Sequence, residues 1–137
     1  MKLDFWASVS FHRDLNLWVW QPRGILDEPH VERLIDLIEQ LEKDADEPFN
    51  RYTDLSKLDS VGISFDYVFH VSLYRRLVYA GQPVKSAFYV TDRPTAEIAL
   101  THAVVAGDSP LIVKVFLDKD AAADWLNVSV YDLELDR

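Results

Sequence analysis

Strand-like and helix-like patterning alternate along this chain from residue 17 to residue 126, and that alternation restricts the fold more than any other feature of the sequence. Leu17-Trp18-Val19-Trp20 is strongly β-forming, and the aromatic and small residues of segment 5–12 precede it across a turn-like Arg13-Asp14-Leu15-Asn16. The pair reads as an antiparallel hairpin. Residues 49–54 give a further strand, more polar at Asn50 and Arg51 than a strand covered on both faces normally is. Residues 84–90 form another, and Leu111-Ile112-Val113-Lys114-Val115-Phe116-Leu117 is the clearest of all.

Helical spacing fills the gaps. Asp27 offers an N-cap oxygen ahead of Glu28-Pro29, and Val31, Leu34, Ile35, Ile38 and Leu41 then recur on one stripe. Ser64 is placed to cap a second helix in which Phe65, Val68, Phe69, Leu73 and Leu77 share a stripe, ended by Gly81 and Pro83. Asp92-Arg93-Pro94 opens a third helix reaching Gly107, and Asp118 caps a short fourth with Ala121, Ala122, Trp125 and Leu126 inward. The order ββαβαβαβα predicts a single α/β domain over residues 1–137: a mixed sheet of about five strands with an N-terminal hairpin and about four helices. In it the Leu17 and Leu111 strands lie inside and the Phe5 strand at or near an edge. In the tail, residues 128–137, Tyr131, Leu133 and Leu135 alternate with acidic residues, the period of an edge strand. It packs on its own sheet or pairs with a second chain, and a homodimer is the favoured expectation.

Composition removes several functions. Twenty-three acidic against fourteen basic residues give a net charge of -9, which repels phosphate backbones, so nucleic acid is not an expected partner. With no cysteine, thiolate metal sites and cysteine nucleophiles are excluded, and His12, His30, His70 and His102 lack metal-ligand spacing. No metal or cofactor is expected. The start carries an early acidic residue instead of an apolar leader, and no later run is long enough to span a bilayer, so the expected location is the cytoplasm. Neither a glycine-rich phosphate loop nor a Gly-x-Ser-x-Gly elbow occurs, which argues against an enzyme.

What remains is the strand-to-helix junction from Thr53 to Phe65, the kind of place where backbone amides and a helix dipole meet a ligand. Asp27, Asp54, Ser56 and Ser60 form the candidate binding loop, with a cap and turn-forming roles as the plainer explanation. Ser64 is a helix cap or a phosphoacceptor. Phe65, Tyr67, Phe69 and Tyr74, with Tyr79, exceed what one inward stripe holds, so they pack at helix flanks or build an apolar pocket or a partner patch. Arg75 and Arg76 on the same helix supply an anionic headgroup contact or balance the acidic surface.

The element order, together with Gly24-Ile25-Leu26-Asp27, Asp54-Leu55-Ser56 and Val115-Phe116-Leu117-Asp118 followed by Ala121 and Trp125-Leu126, resembles the STAS family (sulfate transporter and anti-sigma factor antagonist) over roughly residues 17–127. The likeness is to its small bacterial branch, often grouped with the SEC14-like CRAL-TRIO lipid-binding fold. It implies a non-enzymatic binding or regulatory module that meets a protein partner through the loop and the start of the second helix, with carriage of a small apolar or lipid-like ligand as the alternative. In anti-anti-sigma members a serine at the start of that helix is phosphorylated. Only a one-residue insertion brings Ser64 onto that position, and the Asp before and Gly after it are Ile63 and Phe65 here.

Overall fold

The computed structural model describes residues 8–135. In chain order the elements are β1 (Val9–His12), β2 (Leu17–Trp20), β3 (Gly24–Leu26), α1 (Glu28–Asp44), β4 (Asn50–Asp54), β5 (Leu58–Val61), α2 (Phe65–Val78), β6 (Val84–Tyr89), α3 (Arg93–Ala106), β7 (Leu111–Phe116), α4 (Lys119–Leu126) and a 3-10 helix at Val130–Leu133. Residues 5–7 of the expected first strand lie outside the described residues. All four expected caps form: Asp27, Ser64, Asp92 and Asp118 each accept a backbone N–H of the first turn of α1, α2, α3 and α4. Gly107, at φ +55, closes α3 in a backbone region that a Cβ disfavours. Among the described residues no helix is long and apolar enough to cross a membrane.

The main sheet is mixed α/β architecture with strand order β1-β2-β4-β6-β7. β1 pairs antiparallel with β2, the expected hairpin, and every other pairing in that sheet is parallel. β2 is interior and β1 is an edge, as expected. β7 is not interior: the strand with the strongest apolar run is the other edge, and its Ile112 is exposed. The reason is topological. Each β-α-β step adds its strand on the outer side of the one before, so the last strand in sequence is the last in space, whatever its hydrophobicity.

β4 occupies the centre, flanked on both sides, with Arg51, Tyr52, Thr53 and Asp54 all buried despite its polar sequence. Side chains alternate between the two faces. Trp18 and Trp20 pack against α1 and α2, and Leu55 and Val90 against α3, while Leu17, Val19, Tyr52, Ala87 and Phe116 pack against α4 and Leu133. Three helices therefore cover one face and α4 with the tail covers the other.

Two further corrections concern the junction after β4 and the tail. The junction after β4 is not a plain loop, because β5 runs through it and pairs in parallel with β3 as a separate two-stranded sheet. Each partner is too short to announce itself; the pairing exists because α1 and β4 return the chain beside β3. The tail is a 3-10 helix, capped by Ser129 and Asp132, and not a strand. Leu133 enters the core and His12 Nε2 lies 2.8 Å from the Glu134 carbonyl oxygen, so the alternation that suggested pairing with a second chain finds its cover within the molecule, although Tyr131 stays exposed. Asp136 of that pattern falls outside the described residues.

Candidate functional site

Alternation along β2 and β4 sends Trp18, Trp20, Arg51 and Thr53 toward the three-helix face, where large aromatic rings on one strand stand beside a cation on the next. Between them and the helices lies a cavity of about 140 Å³. Its walls are mostly apolar: Ile35 and Ile38 from α1, Val68 and Val71 from α2, and Ile98 and Ala99 from α3. Tyr67 also contributes, and burial together with Glu32 and Glu28 holds its phenol above its usual range.

Its polar residues are few and linked. Arg51 is 2 % exposed, and its Nε donates to the Phe49 carbonyl at 2.9 Å and its Nη2 to Glu42 Oε2 at 2.7 Å. Arg75 donates to the same carboxylate through Nη1 at 3.2 Å and Nη2 at 2.7 Å. One carboxylate thus serves two buried guanidiniums. Glu39 stands 3.8 Å from Arg75 and also accepts the Tyr74 hydroxyl at 3.0 Å. Burial lowers the Arg51 pKa while Glu42 raises it, and a group so basic keeps its charge at neutral pH. The guanidinium lies 4.5 Å from the Phe49 ring centre, a cation-π contact. Among the described residues, two buried donors of side chains that also line the cavity, Arg51 Nη1 and Trp20 Nε1, find no hydrogen-bond partner, and both atoms are themselves closed off from the space. His102 places Nδ1 2.7 Å from Ser72 Oγ and its ring edge against Phe88; burial, and then the Arg75 charge, push its pKa down to about 4.

The loop residues singled out from sequence do not converge there. Asp54, fully buried, points to the opposite face, where it accepts from Gln21 Nε2 and the Ser56 amide, each at 2.9 Å, and from the Ser56 hydroxyl, with Lys119 Nζ 3.8 Å away. The amides expected to be free at this junction are therefore partly spent on Asp54. Asp27 serves α1 as a cap, and Ser60 is exposed on β5. Ser64, also exposed, accepts from the Tyr67 amide at 3.1 Å. The strand order also contains no reversal among its parallel members, so the crevice that such sheets offer at strand ends is missing from this arrangement.

All of the expected stripe of α2 except Val68 is turned outward. Phe65, Phe69, Leu73 and Leu77 are exposed, Leu77 at 74 %, whereas Val68, Ser72 and Arg75 face the core. Of the four aromatics named as pocket candidates, Tyr67 lines the cavity, Tyr74 joins it in a shallow acidic groove between α1 and α2, and Phe65 and Phe69 belong to the outer surface. Sequence reading missed Trp20, Glu42, Arg51 and His102 as a group. A signal was present in Arg51, a charged residue at an interior strand position. Among the described residues no cluster of three or more His, Asp or Glu side chains is arranged to hold a metal. No protein-family model, curated protein or solved structure matches this chain.

Proposed function

We propose that the chain is a non-enzymatic binding module that holds a small apolar molecule beneath α2. The observation that carries this reading is the cavity of about 140 Å³, lined by aromatic and aliphatic side chains of the sheet and all three covering helices. Protein interiors ordinarily close to crystal-like density with few spaces larger than a water, and an apolar space of ~150 Å³ is enough to admit benzene. Small-molecule sites are concave, mostly apolar and furnished with a few fixed polar groups, which describes this wall. The test is ligand-dependent stability. Toluene should raise the unfolding temperature of the purified chain in a dose-dependent way, and Val71→Phe, which fills the space, should suppress that rise. A flat response in the native chain, with bare protein in native mass spectrometry, would sink the reading.

A second reading, a STAS-like regulatory module that meets a protein partner in the cytoplasm, is favoured by a different observation. Phe65, Phe69, Leu73 and Leu77 form an exposed apolar stripe directly after the Ser64 cap, where phosphate would add charge beside a helix N-terminus.

A further inference from the structure

Resting on the cavity reading above, we infer that the ligand is a small neutral ring compound carrying one hydroxyl or carbonyl oxygen, which hydrogen-bonds to the sheet floor at Thr53 or Ser86. Both side chains stand outside the group of linked charges. Each is buried on an interior strand, Thr53 on β4 and Ser86 on β6, and each lines the cavity. β4 and β6 pair Arg51 with Ser86 and Thr53 with Phe88, so the two hydroxyl-bearing residues are diagonal neighbours on the face beneath the helices. Neither hydroxyl has a hydrogen-bond partner among the described residues, and, unlike Arg51 Nη1 and Trp20 Nε1, neither is closed off from the space.

That floor decides what the space can hold. A buried hydroxyl without a partner is costly, and Val and Ala would occupy the same two positions without that cost. A hydroxyl both donates and accepts, so it serves a carbonyl oxygen or a second hydroxyl equally. Ser72 and His102, also on the wall, are already engaged with each other.

Charge and size narrow the class. The ionic groups beside the cavity are spent on one another: Glu42 accepts from Arg51 and Arg75, and Glu39 stands beside Arg75. His102 is held neutral at physiological pH. A charged ligand would therefore leave water for a space that offers it no free counter-charge, whereas a neutral oxygen needs only one hydrogen bond. A volume of about 140 Å³ holds a ring the size of benzene with little beyond one substituent, so long acyl chains and sterols do not fit.

The experiment titrates the full chain at neutral pH with phenol, toluene and benzoate by calorimetry, with toluene also added as a competitor to place phenol in the same space. Phenol should bind at least as tightly as toluene, although water holds it more strongly, and about tenfold or more tighter than benzoate. Thr53→Val and Ser86→Ala each delete one hydroxyl; one of them, and the double variant, should weaken phenol about fivefold and leave toluene unchanged. Toluene binding about tenfold tighter than phenol, or a phenol affinity that the double variant keeps, would overturn the polar floor and leave the apolar cavity standing. Benzoate binding as tightly as phenol would overturn the neutral class. Phenol that toluene does not displace sits elsewhere and also overturns the inference. Binding of none of the three would overturn both readings. Should the double variant fail to fold, the two single variants carry the same comparison.

Discussion

Glu42 accepts from two buried guanidiniums, so at the scale of single residues its loss strands Arg51 and leaves Arg75 only the more distant Glu39. Glu42→Ala should cost about 3 to 5 kcal/mol, the range for breaking a buried ion pair from one side, and urea unfolding of the variant measures it. A loss below 1 kcal/mol would mean that the pair is solvated. His102 supplies a pH dependence with a defined sign. Its pKa is held at about 4 in the fold against 6.5 in the unfolded chain, so between those values the unfolded chain binds the extra proton. The stability this provides is complete above about pH 6.5 and is lost as pH falls toward 4, to a limit of about 3 kcal/mol. Unfolding curves from pH 7 to 5 should be steeper in pH for the native chain than for His102→Gln; parallel profiles would show an imidazole free to ionise. Ser64 separates its two roles in the same kind of measurement. Ser64→Ala should cost about 1 kcal/mol through the lost cap and Ser64→Asp almost nothing, whereas loss of a protein partner confined to Ser64→Asp would support the phosphate switch.

At the scale of elements, α2 carries one apolar stripe and one mixed stripe, and it buries the mixed one. Phe65, Phe69, Leu73 and Leu77 repeat every four residues, a stronger apolar pattern than Val68, Ser72 and Arg75. The weaker stripe turns inward because Arg75 meets Glu42 on α1 and Ser72 meets His102 on α3, contacts that no window along α2 contains. Leu77→Ser should therefore change stability by less than about 0.5 kcal/mol, while Val68→Ala should cost about 2 kcal/mol; thermal and urea unfolding of the two variants would reverse that ranking if α2 were rotated. The tail makes a comparable prediction. Leu133 is fully buried against the α4 face, so Leu133→Ala should cost about 3 kcal/mol with no change in solution mass. A fall in mass on that substitution would instead indicate an interchain role.

At the scale of the whole molecule, strand order sets the gradient of stability. β4 is paired on both sides and covered on both faces, β1 and β7 are edges, and β3 with β5 forms a separate two-stranded sheet. Amide hydrogen exchange should find the slowest protons in β4 and β6, near the global unfolding limit, and much faster exchange in β3 and β5. Equal protection in all of them would contradict a separate small sheet. That sheet carries Leu26 and abuts Ile63, both on the cavity wall.

Features decided within a few residues were readable from the chain alone. Asp27, Ser64, Asp92 and Asp118 start their helices because a short side-chain oxygen reaches the first free amides, and Leu17-Trp18-Val19-Trp20 is a strand because bulky side chains suit a pleated surface. Alternation of such segments was enough to determine an α/β sheet with an N-terminal hairpin. Asp54 was read as a turn former and does take the Ser56 amide, yet its burial beside Gln21, 33 residues earlier, lay beyond any local pattern. Tertiary structure alone decided that β7 is an edge, that β3 finds β5, that the tail coils into the core and that α2 turns Arg75 inward. Each depends on partners distant in sequence, and the cavity most of all, since its walls come from three helices and five strands that local propensity does not relate. Arg51 shows the division most plainly: its charge argued against an interior strand, and only Glu42, arriving on another element, makes that position tenable.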